Sequence, residues 1–167
     1  LGYFLDAAGK PDEAEPLYAW ALQGYEALLG SEHPETLRSA SNLAALLIAK
    51  GRLHEAEPLS RKALKGFELR CGRSHPDTLA SMGNLAHLYT CQGNHEDAER
   101  LFRRLLAWRE AKLGGDHEDS IKCAADLASC LTTLGRAREA LPLLGRVLKS
   151  REANLGPDHP DTIRSLE

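Results

Sequence analysis

Residues 29–37 read LGSEHPETL, and the phrase returns as CGRSHPDTL at 71–79, LGGDHEDSI at 113–121 and LGPDHPDTI at 155–163. Histidine stands at 33, 75, 117 and 159, each 42 residues after the last. A periodic histidine is either a ligand or an acid/base group, or it is punctuation between structural units. The period runs far beyond the histidine. Gly9, Gly51, Gly93 and Gly135 align, as do Ala14, Ala56, Ala98 and Ala140, and Leu17, Leu59, Leu101 and Leu143. Leu22, Leu64, Leu106 and Leu148 fall in the same register, with Glu26, Glu68, Glu110 and Glu152. Self-similarity at one fixed period is the signature of a repeat architecture.

Within a unit the pattern is helical. After Pro34, apolar or small residues fall at Leu37, Ala40, Leu43, Ala44 and Leu47, on one face at helical spacing. After Gly51 a second stripe follows at Ala56, Leu59, Ala63 and Phe67. A glycine turn this short makes the two helices pack antiparallel as a hairpin. The spacing predicts first helices near 34–50, 76–92 and 118–134, and second helices near 12–29, 53–71, 95–113 and 137–155. Acidic residues open the second helices, at Asp12, Glu13 and Glu15, at Glu55 and Glu57, and at Glu96, Asp97 and Glu99, where they complement the helix dipole. No segment alternates like a strand. One hairpin cannot bury both of its apolar stripes, so stacking hairpins into a solenoid is expected.

Composition agrees with a folded chain. Charged residues make up 27% of the 167 and hydrophobic ones 43%. A net charge of -3 argues against a general nucleic-acid binder. The longest strongly apolar run, Leu43 to Ala49, is too short for a membrane span. Neither nucleic acid nor membrane is therefore expected as a partner. The cysteines at 71, 91, 123 and 130 form no C-x-x-C pair. Cys123 and Cys130 are separated by roughly 10 Å along one helix, too far for a disulfide. With no charged-then-apolar leader in the sequence, the expectation is a cytoplasmic protein with reduced thiols.

Leu43-Ala44, Leu47, Gly51, Ala56 and Ala63 resemble the tetratricopeptide (TPR) signature, with Tyr89 where that family's tyrosine falls. A standard TPR unit is about 34 residues long. The longer variant here is similar to the repeats of kinesin light chains, and it covers the whole chain in SNLAALLIAKGRLHEAEPL, GNLAHLYTCQGNHEDAERL and ADLASCLTTLGRAREALPL. The Gly-plus-two-Ala register sets it apart from HEAT and armadillo repeats. Kinesin light chains typically show two asparagines before L-A. Here the pairs are Ser41-Asn42, Gly83-Asn84 and Ala125-Asp126, and no heptad region is present, so the resemblance is to the repeat class. It implies an all-α right-handed alpha-alpha superhelix over 1–167, with partial repeats at 1–29 and 156–167 and full repeats at 30–71, 72–113 and 114–155.

The resemblance also implies a non-enzymatic interaction module whose first helices line a concave groove. On that face the candidate peptide-binding residues are Arg38, Ser41, Asn42, Ala45, Asn84, His87, Lys122 and Asp126, with Tyr3, Asp6 and Arg164 extending it at the ends. Short side chains leave room for a peptide, and asparagine offers both a donor and an acceptor to a peptide backbone. Asn42 and Asn84 are equally suited to bonding neighbouring helices. Arg38, Lys122 and Arg164 suggest an acidic or carboxylate-bearing peptide, although Asp126 stands four residues from Lys122 and is placed to neutralise it. The alternative is a structural, self-associating solenoid, because neither end carries a polar cap. No cofactor or metal is expected. Trp20 and Trp108 break the repeat pattern; local packing is the expected role, with partner anchors the alternative.

The period itself argues against a histidine site. Equivalent residues of stacked helices lie about 8–10 Å apart, whereas zinc ligands must each lie about 2 Å from one ion. Pro34, Pro76 and Pro160 suit the first helical position. His33, His75 and His159 are therefore expected to close the turn between hairpins, with Thr36 or Ser120 serving the exposed first-turn groups. Glu118 replaces proline after His117, so that junction is expected to be the loosest.

Overall fold

The computed structural model describes residues 10–156 together with His159, Pro160 and Thr162. These residues form α1 (Pro11–Leu29), α2 (Pro34–Ala49), α3 (Leu53–Cys71), α4 (Pro76–Cys91), α5 (His95–Leu113), α6 (Glu118–Thr133) and α7 (Ala137–Leu155). Every helix boundary lies within one residue of the spacing-based expectation. The fold is all-α, built of stacked helix hairpins. Two compact units, residues 1–92 and 93–167, divide what the period presents as one array. In the first, α1 packs on α2, α2 forms a hairpin with α3, and α4 packs on α3 and α2. In the second, α6 packs on α5 and forms a hairpin with α7.

The alanines of the repeat lie in the packed interior. Ala14, Ala56, Ala98 and Ala140 are all at most 1% exposed, and Phe67 and Phe102 are buried with them at 1%. Turns within hairpins follow from glycine. Gly51 has φ 74°; its N–H donates to the Ile48 carbonyl at 2.9 Å, and that of Arg52 donates to Leu47 at 2.9 Å. This double closure satisfies the last carbonyls of α2 and needs a left-handed residue at its centre. Gly135 repeats it, with Arg136 donating to Leu131 at 2.8 Å.

Turns between hairpins explain the recurring phrase. Gly30 adopts φ 88° and ψ 163°, a conformation open essentially to glycine alone. His33 is then extended, and its ring Nδ1 accepts the N–H of Glu35 at 3.2 Å. His75 does the same for Asp77 at 3.2 Å and His117 for Asp119 at 3.1 Å. Histidine is thus the N-cap of each of these three helices, a role usually taken by Ser, Thr, Asp or Asn. Threonine serves a different group from the one expected. Thr36 and Thr78 donate across the turn to the carbonyls of Gly30 and Gly72, each at 2.8 Å, and Thr162 to Gly156 at 2.9 Å. At the third junction Ser120 is fully buried, and its hydroxyl has no hydrogen-bond partner.

Ion pairs join successive units of the repeat. Lys50 and Arg52, in the turn after α2, reach back to Glu15 of α1 at 2.6 and 2.5 Å, and Lys50 also to Asp12 at 2.7 Å. Glu57 of α3 accepts from Gln92 at 2.9 Å. In the second unit Glu99, Arg103, Glu139 and Arg136 form a closed ring of four contacts between 2.6 and 2.7 Å. A second set of rungs joins Glu26 to Lys62 and Glu110 to Arg146. The acids that open the second helices therefore act on the neighbouring repeat as well as on their own dipole.

Candidate peptide-binding face

Helices α2 and α4 lie side by side in the first unit and carry six of the eight predicted residues. Asn42 is exposed, and its side chain makes no hydrogen bond with a described residue. Ala45 is half-buried one turn on, and His87 of α4 is exposed. Asn84 is half-buried, and its Nδ2 donates to Ser41 Oγ at 3.2 Å. Ser41 is only 7% exposed and shares a 3.4 Å contact with the Ser81 hydroxyl. Ser41 is therefore a polar bridge between helices and not a groove-lining residue, because its hydroxyl is buried and already engaged. The two asparagines divide the roles expected of them: Asn84 bonds the neighbouring helix, and Asn42 faces outward.

The charges on this face are largely matched. Arg38 donates to Asp77 at 2.9 Å and to Glu35 at 2.7 Å. Asp77, with Glu35, stabilises the charged guanidinium and raises its pKa further. A group held by two carboxylates has little left to offer an acidic ligand. The remaining two predicted residues lie in the second unit on α6. Lys122 is exposed and forms no ion pair with a described residue, while Asp126 is half-buried and engaged. The predicted neutralisation of Lys122 by Asp126 is thus not made. Between them Cys123 is buried, its thiol 3.6 Å from the Phe102 carbonyl and pushed up to about 12 by burial. Tyr3, Asp6 and Arg164 lie outside the described residues.

Among the described residues no group of three or more His, Cys, Asp or Glu is placed to hold a metal ion, and no helix is long and apolar enough to cross a membrane. A cleft of about 420 Å³ in the second unit is lined by Glu96, Glu99, Arg100, Leu134 and Arg136. Glu99 there is bonded to both Arg103 and Arg136, so its charge is already compensated. The two tryptophans differ. Trp108 is half-buried, with an indole N–H that is buried and unpartnered. Trp20 is 75% exposed, which overturns the expectation that it packs locally.

A family model described as "Tetratricopeptide repeat" matches residues 1–68, 39–111 and 77–153. No curated protein sequence matches the chain. Among solved structures, the chain is similar to the nearly identical TPR-like repeats of a protein from Podosopora anserina described as a kinesin light chain. Identity is 27%, the match covers 98% of this chain and 78% of that one, and the TM-score is 0.83. A point-substituted form of those repeats matches at 28% identity over 98% and 77% of the two chains, with a TM-score of 0.82. BtubC (BKLC) from P. vanneervenii shares the fold, with 22% identity over 95% and 63% and a TM-score of 0.80.

Proposed function

The chain belongs to the tetratricopeptide repeat family, and from that premise we propose that it is a non-enzymatic scaffold that holds a peptide or extended partner segment on the outward face of its first helices. The observation that carries this is Asn42. It is an exposed amide with no partner among the described residues, beside the small Ala45, on a helix packed against the one that bears Asn84 and His87. An outward amide next to short side chains suits the N–H and C=O of an extended backbone, because it supplies both a donor and an acceptor. Asn84, anchored through Nδ2, presents its amide oxygen as a second acceptor. The ligand is selected by backbone and shape on this face.

The test uses peptides selected from a displayed random library against the whole chain. Asn42→Ala is expected to weaken a selected peptide about tenfold, or about 1.4 kcal/mol, while the melting temperature stays unchanged. Unchanged affinity refutes the assignment.

A further inference from the structure

We propose that the cleft between the start of α5 and the α6–α7 turn receives a primary ammonium, the side chain of a lysine on a partner segment, between Glu96 and Glu99. None of its residues belongs to the peptide face.

The first unit shows how such a place is filled. Lys50 stands at the C-cap of α2 with φ -83° and ψ 0°. From there its Nζ donates to Asp12 Oδ1 at 2.7 Å and to Glu15 Oε2 at 2.6 Å. Gln92, one period later at the C-cap of α4, reaches Glu57 at 2.9 Å. Leu134 holds the same position after α6, with φ -76° and ψ 2°. The backbone is the same, so the side chain leaves the turn in the same direction. The acids that would receive it are kept, because Glu96 and Glu99 stand where α1 has Asp12 and Glu15. Leucine has no donor to give them. The cleft of about 420 Å³ lies here, lined by Glu96, Glu99, Arg100, Leu134 and Arg136. In the first unit the cation comes from the turn itself, so the place is not one that a further repeat would fill.

Charge selects the occupant. Glu99 is answered by Arg136, as Glu15 is by Arg52, and by Arg103, which stands where α1 has Ala19. Arg100 is paired with Asp97, and Glu139 with Arg103 and Arg136. Glu96 is exposed and pairs with no described residue. The lining and its partners therefore set four carboxylates against three guanidiniums, and the charge left over is that of Glu96. One excess negative charge suits a monocation. An ammonium carries three donors, enough to meet Glu96 and a free lone pair of Glu99 together, as Lys50 meets Asp12 and Glu15. The methylenes of a lysine would run along Leu134, since such a stem covers apolar surface while its head stays polar.

The test labels the leucine methyl groups of the whole chain and assigns the Leu134 signals with Leu134→Met. The probe is Nα-acetyl-lysine methylamide, titrated at fixed ionic strength. A saturable shift at Leu134 is expected, with a millimolar dissociation constant, because a single solvent-exposed ion pair is weak. Acetylating the probe's Nε should abolish the shift. Glu96→Gln should weaken binding about fivefold at unchanged melting temperature. Leu134→Lys supplies the ammonium from within, so Glu96→Gln should lower the urea midpoint more in that background than in the parent. No saturable shift, an equal shift from the acetylated probe, equal affinity after Glu96→Gln, or no coupling between the two substitutions overturns the proposal. A shift produced by free spermidine and not by the lysine probe also overturns it, because the occupant is then a polyamine.

Discussion

Replacing Thr36 by valine removes one hydroxyl and little else. The two side chains have the same branched shape, and residue 36 is fully buried. What is lost is the 2.8 Å bond from Thr36 Oγ1 to the Gly30 carbonyl. A typical intramolecular hydrogen bond contributes about 0.5–1.5 kcal/mol net. Gly30 is exposed and its oxygen keeps one donor, the N–H of His33 at 3.3 Å, so the cost is that of one such bond, about 1 kcal/mol. In a chain of this length that is about 2–4 °C in melting temperature. Position 120 is the internal control. Ser120 is equally buried, yet its hydroxyl has no partner, so Ser120→Ala removes an unsatisfied group. It should be neutral or stabilising by up to about 1 kcal/mol. Urea unfolding followed by helical circular dichroism, with both slopes equal to the parent's, measures the two changes. If Ser120→Ala costs as much as Thr36→Val, or if Thr36→Val costs nothing, the hydroxyl–carbonyl clasp does not hold the turn.

Three further outcomes are expected. His33→Ala should lower stability by about 1 kcal/mol, while His33→Asn, which also presents an acceptor to the Glu35 N–H, should recover most of it; equal losses would remove the capping role. Glu15, Glu55, Glu57 and Glu139 are held below the usual carboxylate range, chiefly by Lys50, Arg52, Gln92 and Arg136 respectively. A depressed folded pKa gives stability that is present above the unfolded value of about 4.3 and lost as pH falls through the folded values. The urea midpoint should therefore be level near neutrality and drop below about pH 4, and a midpoint unchanged in acid contradicts the ion-pair rungs. Finally, exposed Cys91 should react with a disulfide reagent in the native state, whereas Cys123, with its thiol pushed up to about 12, should react only on unfolding. Matching rates for the two would place Cys123 at the surface.

Much of the fold is legible because one period dictates both apolar stripes and both kinds of turn. Gly51 and Gly30 mark their turns in the letters alone, since left-handed and extended positive-φ positions exclude most other residues. Histidine as the cap is hidden. The proline after it predicts an extended residue at 33, but nothing in the pattern says that the imidazole folds forward onto the Glu35 N–H. The rungs are within reach of the sequence. Glu26 and Lys62 recur 36 residues apart, as do Glu110 and Arg146, and a search for opposite charges at that separation finds them. Ser41 and Arg38 fall on the expected helix, but their partners Asn84 and Asp77 lie on the next repeat, and a single helix pattern does not show how far a side chain reaches. The size of Trp20 favours burial, but Lys62, Arg104 and Arg146 at the same register mark its position as outward, and the structure has it exposed.

The most direct test compares the dissociation constant of a library-selected peptide for the parent chain, for Asn42→Ala and for His33→Ala. Recognition on the first-helix face and punctuation by histidine predict opposite effects. Asn42→Ala should weaken the peptide about tenfold at unchanged melting temperature. His33→Ala should lower the melting temperature and leave affinity within about twofold of the parent, since about 1 kcal/mol does not unfold the chain. Loss of binding in His33→Ala, with Asn42→Ala unaffected, would make the periodic histidine the site and contradict the account.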